Sequence, residues 1–140
     1  MNNLWDKIIE DYKIARECLV YSKKKDCWIR QEDKGMYHLW SAYYAAINAE
    51  EKNHLYYARV LLLMGWEMYP KSSNYELLNK YYKPAVEQYN LAWEENPDCV
   101  NPKEVENVKK SYEYYKYIVE KSRIRNDADY YNAIKLLEGH

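Results

Sequence analysis

The chain has 140 residues, of which 48% are apolar and 31% charged, a balance that predicts one globular domain over 1–140 and excludes a fully disordered chain. With 21 Lys and Arg against 22 Asp and Glu, the net charge of -1 argues against generic nucleic-acid binding. Few glycines and prolines exclude linker-rich architectures, and no apolar run approaches the roughly 18 residues of a membrane span. No signal peptide is read, and the odd cysteine count without a CxxC pair predicts a reducing, cytoplasmic location.

Four helix starts are predicted by a side-chain acceptor followed three residues later by an acid, which is the capping pattern. The pairs are Asn3 with Asp6, Ser73 with Glu76, Asn101 with Glu104, and Asn126 with Asp129. Behind these starts, apolar residues recur at steps of three and four, and no stretch shows the sustained alternation typical of strands. The sequence therefore predicts an all-α fold, a compact antiparallel bundle of five or six helices.

The region 36–69 contains no proline, so it forms either one helix of about 50 Å or two helices. The polar run 50–53 suits a turn, and Asn53 can cap a second helix that begins at His54. We favour the split, because unbroken helices of this length are uncommon in small domains. Farther along, Pro84 predicts a kink, because its ring clashes with the preceding helical turn.

Aromatic composition is strongly biased, with 18 Tyr, 5 Trp and no Phe. A buried phenol without a partner costs on the order of 1–3 kcal/mol, so many rings are expected at core edges with their hydroxyl groups reaching water or a carbonyl. Five adjacent pairs occur: Tyr43-Tyr44, Tyr56-Tyr57, Tyr81-Tyr82, Tyr114-Tyr115 and Tyr130-Tyr131. Helix neighbours point about 100° apart, so one ring of each pair can face inward while the other forms an adhesive surface or covers a seam between helices.

Small residues recur among the rings in a second pattern. The clearest example is Tyr82-x2-Ala85-x3-Tyr89-x2-Ala92, with Pro97 five residues later. This spacing resembles the second helix of a tetratricopeptide (TPR) repeat, best over 82–98. The resemblance implies antiparallel helix pairs and a groove that holds peptides, so a TPR-like helical repeat is the alternative to an irregular bundle.

Residues that could carry chemistry are few. Glu51 and His54 form one E-x-x-H step, of which ferritin-like di-metal bundles use two; a surface pair or a turn is the other interpretation. His38 could act as a general base only beside a partner that the sequence does not identify. No motif of nucleophilic, phosphoryl-transfer or dinucleotide chemistry is present. We therefore predict no catalytic residues, no metal site and no cofactor.

Two basic clusters could contact nucleic acid. Lys23–Lys25 precede Trp28, on which a base could stack, although cations at a helix C-terminus are the other interpretation. The second cluster lies on the helix 103–125. Its candidate contact residues are Lys109, Lys110, Lys116, Lys121, Arg123 and Arg125.

The leading hypothesis is a non-enzymatic helical protein–protein interaction module, because large rigid rings dominate interface hot spots. It would act as an adaptor, an inhibitor or a phage accessory factor, by binding another protein or a second copy of itself. The candidate partner-binding rings, expected to face outward, are Tyr43, Tyr56, Trp66, Tyr81, Trp93 and Tyr114. The alternatives are a nucleic-acid-associated protein using 103–125 and a metal-dependent helical enzyme using Glu51 and His54. No membrane partner is expected.

Overall fold

The computed structural model describes residues 3–21 and 31–138, which form helices packed against one another and contain no strand. The predicted all-α helical bundle is thereby confirmed. The first three helices are α1 (Asn3–Arg16, continued by the π-helical turns Glu17–Tyr21), α2 (Glu32–Asn48) and α3 (His54–Glu67). Helix α4 joins α-helical Asn74–Glu76, π-helical Leu77–Tyr82 and α-helical Lys83–Glu95, and a 3-10 turn at Pro97–Cys99 precedes α5 (Pro102–Glu138).

The predicted break within 36–69 is confirmed. Helix α2 ends at Asn48, and α3 begins at His54 with Asn53 as its N-cap, whose side-chain oxygen accepts a hydrogen bond from the backbone N–H of Tyr56 at 3.2 Å. The Lys52 ammonium closes the end of α2 by donating to the carbonyl of Ala46 at 2.7 Å, and to that of the next residue. A cation at a helix C-terminus satisfies carbonyls that have no partner within the helix, so both helix ends at this turn are capped.

Two further predicted caps are confirmed at the starts of α4 and α5. The Ser73 hydroxyl accepts from the backbone N–H of Glu76 at 3.1 Å. The Asn101 side chain accepts from the backbone N–H of Lys103 at 2.9 Å, and Pro102 occupies the first helical position, where a missing N–H costs nothing.

The predicted helix start at Asn126 is wrong, because α5 continues through it without a break over 37 residues. Between 103 and 138 the sequence has no proline or glycine to stop the helix. A single Asn or Asp inside a helix costs only about 0.7 kcal/mol relative to Ala, so the capping pattern there does not end the helix.

The backbone just before Pro84 is π-helical rather than regular α-helix. The backbone N–H of Lys83 bonds to the carbonyl of Leu78, five residues back, where an α-helix would use the fourth. Pro84 then lies in the first turn of the resumed α-helix. A wider turn is a known way to accommodate an inserted ring that lacks an N–H, and it lets the apolar face of α4 continue past the proline.

The core lies along the facing stripes of the helices, and the largest side chains in it that are fully buried are two tyrosines, Tyr81 and Tyr89. Gly65 of α3 allows a close approach to α4, since a Cβ at this position would lie 2.9 Å from Cζ of Tyr82. The Tyr82 ring is itself stacked on Tyr115 of α5, with centroids 4.9 Å apart and planes at 14°. Three helices therefore meet at this one ring.

No helix in the described part of the chain is both long and apolar enough to cross a membrane.

Candidate functional site

Helix α2 carries a row of aromatic and aliphatic side chains on the flank that no other described helix covers. Tyr37, Trp40, Tyr44 and Ile47 follow one another at steps of three, four and three, so they lie on one side of the helix. Tyr37 is 73% exposed and Tyr44 58% exposed, while Ile47 is exposed and Trp40 half-buried. These four residues are called the α2 aromatic face below.

The opposite side of α2 explains why this face is presented to solvent. Gly35, Leu39, Ala42 and Ala46 are buried, and they include small residues that let α2 approach α1 closely. At Gly35 a Cβ would lie only 2.6 Å from Cγ of Leu19, so the Leu19 side chain packs directly against the backbone of α2 there. Helix α2 therefore packs against α1 through one side, and its aromatic face lies on the opposite side.

A buried carboxylate fixes the rotation of α2 on α1. The Asp11 Oδ1 atom lies 2.8 Å from Nδ1 of His38, and its Oδ2 atom accepts from the Ser41 hydroxyl at 3.2 Å. His38 therefore has a carboxylate partner, Asp11, of the kind that a general base needs. The sequence alone did not identify this partner. Because Ser41 donates to the carboxylate and not to the imidazole, the three residues do not have the geometry of a Ser-His-Asp triad, and their contacts join α1 to α2.

The exposed rings of the α2 aromatic face rest on buried rings. Trp40 stacks on Tyr44 with centroids 5.4 Å apart, and it meets Tyr43 edge-on at 5.8 Å. Tyr43 in turn packs against Tyr81 of α4 at 5.9 Å. Burial, with the neighbouring phenols of Tyr81, Tyr57 and Tyr44, raises the pKa of Tyr43 to about 12, so this ring stays neutral near pH 7. These contacts restrict the motion of the Trp40 and Tyr44 rings.

The expectation that all six predicted rings face outward is wrong for two of them. Tyr43 is 4% exposed and Tyr81 1% exposed, because they fill the seam between α2 and α4 against each other. In the Tyr43-Tyr44 pair it is the second ring that faces outward. The spacing alone could not decide this, since either ring of an adjacent pair can take the inner position.

The other four predicted rings lie on three helices. Trp66 of α3, Trp93 of α4 and Tyr114 of α5 are exposed, as expected. Tyr56 is half-buried, with its ring 5.0 Å below Cζ of Arg59 and 6.1 Å from the ring of Tyr12. No ring contact joins these four residues among the described ones, so they do not form one patch.

None of the four residues of the α2 aromatic face is among the partner-binding rings predicted from the sequence. The signal was available as the spacing of Tyr37, Trp40, Tyr44 and Ile47, a second apolar stripe on a helix whose first stripe is Leu39, Ala42, Tyr43 and Ala46. Two stripes on one helix mean that one of them is left without a covering helix, unless the helix is buried all round.

The predicted basic helix is α5, and its lysines are exposed while carboxylates lie between them. Of the six candidate contact residues, Lys109, Lys110, Lys116 and Lys121 are exposed, and the side chains of Arg123 and Arg125 lie outside the described residues. Glu106, Glu113 and Glu120 recur every seven residues on the same side of the helix, and Glu106 pairs with Lys110 at 3.1 Å. The lysines therefore do not form an uninterrupted positive surface. Lys23–Lys25 and Trp28 lie outside the described residues.

The E-x-x-H step does not lie on one helix. Glu51 is exposed in the turn before α3, and His54 is the first residue of α3. The imidazole is occupied on both nitrogens, with Nδ1 2.5 Å from Oε1 of Gln88 and Nε2 3.2 Å from Oε1 of Glu95. Among the described residues, no group of three or more His, Cys, Asp or Glu side chains is placed to hold a metal ion.

Comparison of the chain with models of known protein families, with curated proteins and with solved structures finds no match.

Proposed function

We propose that the chain is a non-enzymatic helical binding protein, which acts by direct contact between the α2 aromatic face and another protein. The observation that supports this is the row Tyr37, Trp40, Tyr44 and Ile47, which is exposed on one flank while the opposite side of the same helix is packed in the core. Aromatic rings are enriched at the centres of protein interfaces, and contiguous exposed apolar surface on a monomer marks interaction sites.

This face suits a protein that acts by binding alone, because an adaptor or an inhibitor needs only a surface that binds its partner. A partner would lay an apolar helix or a flat apolar patch along the row, whose positions i, i+3, i+7 and i+10 extend over about 15 Å of helix. The TPR-like spacing is part of this proposal, because helix pairs of that kind present grooves to peptides. A cytoplasmic location is proposed from the odd cysteine count without a CxxC pair.

Site-specific photocrosslinking tests the proposal. A photoreactive phenylalanine analogue is placed at Tyr44 and, as the matched control, at Tyr75, which is a comparably exposed tyrosine at the start of α4. Crosslinking is carried out in cells that express the chain, and each adduct is identified by mass spectrometry. Binding is then reconstituted from the purified chain and the purified partner.

We expect a discrete protein adduct from Tyr44 that Tyr75 does not give, and purified partner that binds the chain directly. An adduct whose mass is twice that of the chain identifies a second copy as the partner. Equal labelling from both positions, or no adduct from either, contradicts the proposal.

A second candidate function rests on one stripe of α5. Lys110, Tyr114, Tyr117 and Lys121 are all exposed and follow at steps of four, three and four, with the Lys121 ammonium 5.2 Å from the ring of Tyr117. Two rings flanked by two cations suit single-stranded nucleic acid, whose bases stack on aromatic side chains while lysines contact phosphates.

A gel-shift titration with single-stranded RNA and DNA at low salt tests this candidate. The expected slope of log affinity against log salt is about -0.7 for each phosphate contacted. In Lys110→Gln the magnitude of this slope should decrease by the amount that corresponds to about one phosphate contact. Absence of a shift at low salt removes the candidate.

A further inference from the structure

A cavity of about 140 Å³ lies where α1, α3, α4 and α5 meet, away from the α2 aromatic face. One part of its wall is apolar, formed by Val20, Leu62, Leu63 and Trp66. Cavities of about 150 Å³ with apolar walls accept a benzene-sized molecule. The space therefore suits one ring or a short branched aliphatic group.

The other part of the wall contains the half-buried side chain of Arg59, one of whose donors has no partner within the described part of the chain. Arg59 is 21% exposed, and its Nη2 atom lies 3.3 Å from Oε2 of Glu104. Its Nε atom is buried and has no hydrogen-bond partner among the described residues. An unsatisfied buried donor is costly, but because the Nε atom is itself buried, a ligand in the cavity can reach only the exposed part of the Arg59 side chain.

The guanidinium is held in place from two sides. The Tyr56 ring lies 5.0 Å from its Cζ atom, and Tyr12 packs edge-on against Tyr56. Burial lowers the pKa of Arg59, but the charge and hydrogen bond of Glu104 outweigh it and leave that pKa above its usual range. A fixed, permanently charged group of this kind is what recognises a carboxylate.

Among the described residues that line the cavity, two arginines are present with one carboxylate, so their formal charges leave one positive charge uncompensated. Arg16 and Arg59 line it together with the Glu104 carboxylate, which pairs with Arg59, and with the neutral amide of exposed Asn107. Burial raises the pKa of Tyr89, another lining residue, so this phenol is neutral and can donate its O–H. The cavity thus has donors and cationic charge in excess of acceptors.

We propose that this cavity binds a small organic carboxylate of benzoate size, with its carboxylate at Arg59 and its apolar body against Leu62, Leu63 and Trp66. An inorganic anion would meet the cationic charge but would leave the apolar wall unused, and a neutral ring would leave the excess positive charge of the lining without an anion. The site is separate from the α2 aromatic face, and its test is independent of the proposed function.

Titration of the full chain with benzoate tests the site. Binding is followed by nuclear magnetic resonance through the signal of the Trp66 indole N–H, which is assigned as the signal that disappears in Trp66→Tyr. We expect a saturable shift with a Kd on the order of 1 mM, as befits a ligand of so few atoms. Benzamide, which has the same shape without the charge, should bind at least about 10-fold more weakly, because hydrogen bonds to charged groups are the strong ones. Inorganic phosphate should also bind at least about 10-fold more weakly, since it cannot use the apolar wall.

A cavity-filling variant provides the structural control. Asn107→Leu adds volume at the wall without removing the Arg59–Glu104 pair, and Asn90→Leu makes the same change at an exposed position of α4 outside the lining. We expect Asn107→Leu to weaken benzoate binding at least about 10-fold and Asn90→Leu to leave it unchanged. No saturable shift, equal binding of benzamide or phosphate, or equal effects of the two variants would overturn the proposal.

Discussion

Gly65→Ala probes the closest approach between α3 and α4. The added Cβ would lie 2.9 Å from Cζ, 3.1 Å from Cε2 and 3.2 Å from the hydroxyl oxygen of Tyr82, whereas ordinary carbon contacts are about 3.5–4.0 Å. The ring has little room to retreat, because it is 3% exposed and stacked on Tyr115.

Two opposing effects set the magnitude. Overpacking of a core costs about 1–3 kcal/mol, and replacing glycine by alanine within a helix gains about 1 kcal/mol. We therefore expect Gly65→Ala to lower the free energy of unfolding by about 1 kcal/mol, which corresponds to a fall of a few °C in Tm for a chain of this size.

Urea denaturation followed by circular dichroism measures this change, and a double-mutant cycle isolates its cause. Tyr82→Leu removes the end of the ring that the new Cβ would meet, so Gly65→Ala in that background should stabilise the protein by about 1 kcal/mol through helix propensity alone. A stabilising effect of Gly65→Ala in the parent chain, or the same effect in both backgrounds, would refute the reasoning.

Three further perturbations test the local geometry. Asn53→Ala removes the cap of α3 and should cost about 0.5–2 kcal/mol, read as a lower urea midpoint, and an unchanged midpoint would count against the cap. Because burial raises the pKa of Tyr43 from 10.0 to about 12, the folded state keeps a proton that the unfolded state loses, so the free energy of unfolding should fall by roughly 1–3 kcal/mol from pH 10 to 12. Urea titrations across that range should show a shallower fall in Tyr43→Phe, and an equal slope would contradict the assignment. Asp11→Ala leaves His38 and Ser41 without their shared acceptor and should destabilise the chain by about 1–3 kcal/mol, more than Asp11→Asn; the reverse order in thermal melts would exclude the orienting role.

Local signals in the sequence predicted the helix boundaries where a cap coincides with a real break. Asn53, Ser73 and Asn101 begin helices because each directly follows residues outside an α-helix, which leaves its side chain free to accept from the first turn. Asn126 has the same pattern but lies inside α5, because the residues before it are already helical and nothing interrupts them. A cap is informative only when the preceding segment has a reason to leave the helix.

The candidate site was harder to predict because it depends on which side of each helix faces another helix. Tyr43 and Tyr44 are chemically identical neighbours, and only the packing of α2 on α1 and α4 puts the first inside and the second outside. The Arg59–Glu104 pair joins residues 45 positions apart, a contact that periodicity along one helix cannot reveal.

The affinity of the purified chain for the partner found by crosslinking tests the central claim most directly. Calorimetry compares the parent chain with Tyr37→Ser/Tyr44→Ser and with the matched control Tyr69→Ser/Tyr75→Ser, which removes two equally exposed rings elsewhere. Loss of a central aromatic contact costs about 2 kcal/mol or more, so the first variant should bind at least about 30-fold more weakly and the control should bind like the parent chain. Parent-like affinity in Tyr37→Ser/Tyr44→Ser, or an equal loss in the control, would contradict the role of the α2 aromatic face.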